Sequence, residues 1–329
     1  MSANKKLNAA KDAKKDEFYT QRTDIENELS HYAEHFKGKV VYCNCDDPKE
    51  SEFWQFFVRV FNSWGIKKLI ATHYDPNELN YTYKLEAQPD ETGKFGVQNE
   101  PEKTPLPCNG DFRSAACIEL LKEADIVVTN PPFSLFREYI AQLMEYNKKF
   151  LIIGHQNAVK YKEIFPLIKN EHIWLGYGFP GNVGFFRAPN YEDYAVSSQH
   201  KEGLIRVSGV MWFTNLDIPK RHQPMDLRGN YYEGNEELYP EYDNFNAIDV
   251  SKANDIPCDY YGMMGVPITF LSKYCPDQFE LIGMGTGDTA KLIGVQKNYR
   301  GRTDLSITVN GKSSCPYTRI IIKRKGEPS

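Results

Sequence analysis

The chain has 329 residues, 41% hydrophobic and 26% charged, with 40 Lys and Arg against 44 Asp and Glu for a formal net charge of −4. That length buries a full core and predicts one large α/β domain with a smaller module, while the negative total argues against a protein that coats nucleic acid. No apolar stretch approaches the roughly 18 residues of a membrane span, and the polar, Lys-rich N-terminus is not a secretory signal.

Residues 1–15 (MSANKKLNAAKDAKK) predict a disordered N-terminal arm. From residue 39 the pattern alternates strand and helix. Lys39–Cys43 predicts a strand. Ser51–Trp64 places Phe53, Phe56, Phe57, Val60, Phe61 and Trp64 at helical spacings, as in a helix packed on a sheet. Lys68–Thr72 predicts the next strand, ending at His73-Tyr74-Asp75. Asn80–Val97 predicts a β-hairpin, with Tyr81, Tyr83 and Leu85 alternating and Asp90–Gly93 at the turn, followed by a Pro-rich loop over Pro101–Pro107. Arg113–Lys122 predicts a helix, Asp125–Thr129 a strand, Leu135–Tyr146 a helix, Lys149–Gly154 a strand, Ala158–Ile168 a helix and Ile205–Phe213 a further strand.

Short buried strands alternating with helices predict a parallel doubly wound sheet. Ligands of such sheets bind at the carboxyl ends of the strands. Asp46, Asp75 and Asn130 all fall just past predicted strand ends. The glycine-rich segments Gly176–Gly184 and Gly283–Gly287 lack the Lys-Ser/Thr of a phosphate loop and predict flexible loops.

Cysteine and charge placement add two constraints. The seven cysteines (43, 45, 108, 117, 258, 275, 315) show no C-x-x-C spacing, so they read as reduced thiols in a cytoplasmic protein without a metal site. From Lys291 to Lys325 there are nine Lys or Arg against one acid, Asp304, whereas Asp226 to Asp255 holds eight acids and two bases. Such segregation suits one basic surface on phosphates, although a solvated edge hairpin and tail would look the same.

The most informative segment is Asn130-Pro131-Pro132-Phe133, directly after the apolar run Ile126–Thr129. The two prolines fix φ and donate no hydrogen bond, so the turn joins neither a ladder nor a helix interior. The Asn side-chain oxygen and a proline carbonyl can accept from one planar amino group while Phe133 stacks on the ring bearing it. A strand-ending turn with a core Phe is the plain alternative for these four residues.

Asp16-Glu17-Phe18-Tyr19-Thr20, Val40-Val41-Tyr42-Cys43-Asn44-Cys45-Asp46-Asp47-Pro48, Gly110-Asp111-Phe112 and Asn130-Pro131-Pro132-Phe133 occur in this order. Together they resemble the S-adenosylmethionine-dependent amino-methyltransferases, most closely the EcoRI-type adenine-specific DNA methyltransferase family. The resemblance runs from about residue 16 to near the C-terminus and includes Val210–Asn215 and Met264–Phe270. It implies a Rossmann-like methyltransferase sheet over 16–218 and a smaller β-rich DNA-recognition module over 219–329.

The resemblance also implies roles. Tyr19 and Thr20 would fold back over the methionine end of S-adenosylmethionine, Asp46 and Asp47 would serve its methionine part, Asp75 its ribose hydroxyls, and Asp111 with Phe112 its adenine. Here Asn44-Cys45-Asp46-Asp47-Pro48 replaces the glycine-rich turn of related enzymes. Asn130, Pro131, Pro132 and Phe133 would form the catalytic loop for N6 of an adenine flipped out of double-stranded DNA, with no metal and no nucleophilic side chain. Phe133 would stack on the base and Trp212 or Phe213 on its opposite face, with Phe185 and Phe186 as rivals. Arg300, Arg302, Lys312, Arg319, Lys323, Arg324 and Lys325 would grip DNA phosphates. The setting expected is restriction-modification, beside a cognate endonuclease that acts separately, or a phage or orphan methylase.

Two other readings stay open on the residues. One is the same transfer to cytosine N4, RNA or a protein glutamine. Asn130 favours adenine over cytosine, and the basic end argues against glutamine. The other is a catalytically silent DNA-binding subunit, kept in view by the atypical turn at Asn44–Pro48.

Overall fold

In the computed structural model the described residues are 19–45, 47–75, 82–96, 101, 103–187, 200–201, 203–232 and 234–326. Asp46, Tyr81 and the arm 1–15 lie outside them. The described parts of Met1–Ala158 and Leu175–Leu216 make one unit, and those of Val159–Trp174 and Asp217–Ser329 make a second.

The first unit runs β1 (Tyr19–Thr20), α1 (Arg22–Leu29), β2 (Val40–Cys43), α2 (Glu52–Val60), β3 (Lys68–Thr72), β4 (Thr82–Ala87), β5 (Thr104–Leu106), α3 (Ala115–Glu123), β6 (Ile126–Thr129), α4 (Phe136–Glu145) and β7 (Lys149–His155). β8 (Trp174–Leu175), β9 (Val183–Arg187), β10 (His200–Lys201), β11 (Leu204–Ser208) and β12 (Val210–Thr214) follow. The main sheet is mixed, in the order β5-β4-β3-β2-β6-β7-β12-β8. Its centre, β3-β2-β6-β7, is parallel, and β4, β5 and β12 are antiparallel to their neighbours. β2 and β6 are buried at every position, which is why Val40–Cys43 and Ile126–Thr129 are unbroken apolar runs rather than alternating ones.

Helices form where caps and apolar spacing agree. Ser51 caps α2 by accepting from the Phe53 amide at 3.3 Å, and the helix buries Phe53, Trp54, Phe56 and Phe57. Each such side chain contributes about 1.5–3 kcal/mol of hydrophobic stabilisation. Ser114 caps α3 in the same way, through the Cys117 amide.

Three expectations are corrected. The hairpin over Asn80–Val97 is a single strand among its described residues, and the partner of β4 on that side is β5, inside the stretch expected to be a loop. Pro105 hid it, since a proline is tolerated on the sheet edge where no ladder donor is needed. The helix over Ala158–Ile168 is reduced to a 3₁₀ turn at Gln156–Lys160 and the short α5 (Phe165–Lys169), with Pro166 in its first turn. The strand Ile205–Phe213 is two strands in two sheets, β11 and β12, broken at Gly209 with φ +77°. A smaller sheet, β1-β9-β11-β10, receives the first of them.

The second unit is rich in β-structure: β13 (Ile248–Asp249), β14 (Met263–Pro267), β15 (Phe279–Met284), α6 (Gly287–Leu292), β16 (Ile307–Val309), β17 (Lys312–Ser314) and β18 (Arg319–Arg324). One sheet is ordered β13-β14-β18-β15, and β16 with β17 forms a separate two-stranded ribbon. Ile320, Ile321 and Ile322 run through its centre, fully buried. Among the described residues no helix is long and apolar enough to cross a membrane.

Candidate active site and nucleic-acid interface

The segment after β6 is where the first unit concentrates buried polar groups. Asn130 is buried, and its side-chain nitrogen donates to Thr20 Oγ1 at 3.3 Å across 110 residues of sequence. Thr20, itself buried, is held there because β1 pairs with β9, Thr20 opposite Phe186 and Tyr19 opposite Arg187. The Arg187 guanidinium lies over the Tyr19 ring at 4.9 Å and pairs with Glu50 at 2.6 Å. Pro132 then accepts from the Leu135 amide at 2.9 Å, turning Phe133–Leu135 into a 3₁₀ lead-in to α4. Phe133 is half-buried, with its ring 6.3 Å from that of His155 at the end of β7.

The turn after β2 is tied to the same place. Thr129 Oγ1 donates to the Asn44 carbonyl, and the Tyr139 hydroxyl of α4 donates to the Asn44 side-chain oxygen. Burial raises the Tyr139 pKa well above its ordinary value, so this hydroxyl keeps its proton. Cys45 takes φ +73°, a left-handed backbone that glycine adopts most readily, and so supplies with a side chain the turn that glycines make elsewhere. Tyr139 and His155 were not picked out by their sequence, and Asn44 only as part of the turn that replaces the glycine-rich one. Tyr139 and His155 sit in apolar stretches that look like ordinary core, and only a contact with the loop distinguishes them.

Three half-buried carboxylates gather at the carboxyl end of β2 and β3 and on the segment beside it. Asp47 Oδ1 accepts from the Tyr83 hydroxyl at 2.5 Å, and its other oxygen is 3.6 Å from His73 Nε2. Burial, then the bond to Asp47, holds Tyr83 protonated far above neutral pH. Asp75 is joined to the next segment by its amide, which donates to the Asn109 carbonyl at 2.9 Å. Gly110 (φ +81°) passes so close to His73 and Tyr74 that no side chain fits between the two main chains. That approach brings Asp111 and Phe112 beside the end of β3. Asp111 accepts the Arg113 Nε at 2.9 Å and Nη2 at 2.7 Å, and Phe112 packs edge-on against Tyr139 at 4.9 Å. A cluster of carboxylates with aromatic neighbours fits a cationic, hydroxyl-bearing ligand such as S-adenosylmethionine, whose ammonium, sulfonium and ribose all favour acceptors.

Two of the expected base-stacking residues are placed otherwise. Trp212 is buried, stacked on Phe179 at 5.8 Å and edge-on to Phe53 at 6.1 Å. Phe213 is fully buried against Phe136 at 4.9 Å. Both rings are core, because β12 lies inside the sheet and is covered on both faces. Of the rival pair, Phe186 is buried and Phe185 only half-buried.

The basic residues of the second unit also divide. Arg300, Arg302, Lys312, Lys323 and Lys325 are exposed. Arg324 is half-buried, donates to the Cys258 carbonyl and lies over the Tyr261 ring at 4.7 Å. Arg319 is corrected outright. It is buried, and Asp249 accepts its Nε at 2.8 Å and its Nη2 at 3.3 Å, with the Tyr242 hydroxyl on the same carboxylate at 2.6 Å. A charge so enclosed holds the fold together and does not reach a phosphate. Among the described residues no His, Cys, Asp and Glu group could hold a metal ion, and the seven cysteines are free thiols.

A sheet with a proline-locked Asn at one strand end and carboxylates at the neighbouring ends fits an enzyme that transfers a group to a planar amino nitrogen. The family described as "Adenine-specific methyltransferase EcoRI" matches residues 6–325, and the chain belongs to it. It is an adenine-specific DNA methyltransferase that uses S-adenosylmethionine. The chain is 47% identical over 335 residues to the Type II methyltransferase M.EcoRI of Escherichia coli, covering 98% of each. It is 43% identical over 325 residues to the Type II methyltransferase M.MpnI of Mycoplasma pneumoniae, covering 97% of this chain and 98% of that one. With the Type II methyltransferase M.MgeORF184P of Mycoplasma genitalium it shares 40% over 330 residues, 97% of this chain and 98% of that one.

Proposed function

We propose that the chain methylates N6 of one adenine within a specific site of double-stranded DNA, using Asn130–Phe133 as the catalytic loop on a Rossmann-like sheet. The observation that carries this is the buried Asn130 amide fixed by Thr20. The bond to Thr20 orients the Asn130 amide, and its side-chain oxygen would accept an amino hydrogen of the base, with the Pro131 carbonyl as a second acceptor. Acceptance by both pulls the amino lone pair out of conjugation with the ring and directs it along one line. Phe133 stacks on the base once it leaves the helix, a step that costs a few kcal/mol.

S-adenosylmethionine supplies an activated methyl group when bound. Asp47, Asp75 and Asp111 are the residues that would hold it, with Phe112 and the Tyr19–Thr20 segment beside them. The chain's own contribution is then positioning and electrostatics, with no covalent intermediate on the protein. The exposed cations of the second unit neutralise DNA phosphates. We assign the reaction to the cytoplasm and either to restriction-modification, beside a cognate endonuclease that acts separately, or to a phage or orphan methylase without one.

The test is transfer of radiolabelled methyl from S-adenosylmethionine to unmethylated genomic DNA, with nucleosides separated and Asn130→Ala as control. Label in N6-methyl-2′-deoxyadenosine that vanishes in the variant, with cofactor binding kept within a few-fold, is expected. Label elsewhere, or a fully active variant, overturns the assignment.

A further inference from the structure

We propose that the β16–β17 ribbon reads base edges in a groove of double-stranded DNA, and that the basic loop at its foot sits on the flanking phosphates. This rests on the reading of the chain as a DNA methyltransferase. Among the described residues the two strands pair with each other and with no third strand. Thr308 faces Ser313 and Val309 faces Lys312, around an Asn310-Gly311 turn with φ of +51° and +73°. Positive φ at both turn positions is the geometry that lets a two-residue turn follow the strand twist. From Thr308 to Ser314 every residue is exposed.

An isolated two-stranded hairpin is marginal in water, so what holds this one is informative. Asp243 Oδ2 accepts from Ser306 Oγ at 3.1 Å and from Thr308 Oγ1 at 3.0 Å, and Thr308 Oγ1 lies 2.8 Å from Ser313 Oγ across the ribbon. Asn244 Oδ1 accepts the Ser306 amide at 3.0 Å. Leu305 is buried, and Ile307 packs against the same core. The foot is therefore clamped while the outer half is bare.

One buried residue joins the ribbon to the cations. Asn298 Nδ2 donates to the Asp304 carbonyl at 3.0 Å and to Cys315 Sγ at 3.4 Å, which flank the two legs of the ribbon. Asn298 Oδ1 accepts the amides of Arg300 at 2.8 Å and Arg302 at 3.2 Å. The loop carrying those two exposed guanidiniums is thus fixed to the ribbon's foot. Tyr299 and Tyr317, 51% and 62% exposed, stand on either side in sequence.

Size and chemistry agree with a nucleic-acid groove. Paired strands lie about 5 Å apart, and the major groove is about 12 Å wide and admits such a ribbon. From Leu305 to Thr318 there is no acid. Asn310, Lys312, Ser313 and Ser314 offer donors and acceptors, and Val309, 46% exposed, offers an apolar surface for a thymine methyl. Val309 is the one large apolar side chain between Thr308 and Ser314, among polar and basic groups, which suits DNA better than an apolar protein partner.

The experiment replaces the exposed facing pair, Val309→Ser with Lys312→Gln, and keeps the Asn-Gly turn. Wild type and variant each methylate unmethylated genomic DNA, and N6-methyladenine is mapped by single-molecule sequencing. Melting temperature and cofactor binding report folding, and Lys312→Gln alone carries the same comparison should the double variant fold poorly. The expected result is that the variant accepts sites differing at one or two base pairs, with discrimination reduced by about 5- to 100-fold, the range that one base-edge interaction supplies. An unchanged sequence preference overturns the proposal, whether DNA affinity is kept or falls uniformly. A wild-type chain that methylates no adenine overturns this proposal and the proposed function together, whereas an active wild type with a variant of identical preference overturns the ribbon alone.

Discussion

Gly110 runs so close to His73 that a Cβ on it would lie 1.9 Å from the His73 carbonyl oxygen and 2.9 Å from Tyr74 Cα. The contact is main chain on main chain, so no side-chain movement relieves it. It is what sets Asp111 and Phe112 next to the end of β3. Gly110→Ala should therefore push the two segments apart, adding the strain of φ +81° to the clash. We expect a loss of at least about 1–3 kcal/mol in stability and a weakening of S-adenosylmethionine binding, checked by denaturant melts and calorimetry. Unaltered binding would remove Asp111 and Phe112 from the cofactor site.

Thr20 separates positioning from binding. Thr20→Val keeps the shape of the side chain but removes one acceptor of the buried Asn130 amide, at a cost of about 1–3 kcal/mol for a hydrogen bond lost in a buried site. The turnover number should fall about 5- to 100-fold while the Michaelis constant for DNA stays within a few-fold. A variant with full turnover would show that the Thr20 hydroxyl does not orient the loop.

The basic residues of the second unit should fall into two groups. Removing Arg319 or Asp249 alone leaves a buried charge without its partner and should destabilise the protein by about 3–5 kcal/mol. Replacing exposed Arg300, Arg302 and Lys323 by Ala should leave melting nearly unchanged and flatten the salt dependence of DNA binding, by about 0.9 in the log–log slope for each phosphate no longer neutralised. Both are read by thermal melts and by binding isotherms at several salt concentrations.

Glu86 carries a pH dependence of known sign. Burial pushes its pKa up, but Lys68 at 2.8 Å and Lys84 at 3.0 Å more than offset this and leave it below the ordinary value. Its contribution is therefore present above the unfolded-state pKa and is lost as pH falls through the lower folded-state value. Glu86→Gln should cost up to about 1 kcal/mol at pH 7 and converge with wild type in acid. Urea melts at pH 7 and pH 3.5 decide it, and an equal difference at both values would contradict the linkage.

What could be read from the chain follows from how local each determinant is. Val40–Cys43 and Ile126–Thr129 announce themselves as buried parallel strands because both faces must be apolar. Asn130-Pro131-Pro132 announces a turn because proline geometry is covalent. Burial is not local, and there the sequence misleads. A Trp that stacks on a base and Trp212 stacked on Phe179 are the same letter, and a charge count does not distinguish Arg319 inside the sheet from Arg300 outside it. Cys45 is a further case, since a left-handed φ on a non-glycine residue leaves no mark in the sequence.

The pairing of Tyr19–Thr20 with Phe186 and Arg187 has a consequence for how the protein is made. The two strands are roughly 170 residues apart, so the first of them leaves the ribosome long before its partner exists. At about 5–20 residues per second, translation separates them by on the order of ten seconds or more. Asn130 is synthesised in that interval with Thr20 not yet anchored. A nascent chain that has not yet reached β9 therefore lacks the pairing that holds Thr20 against Asn130.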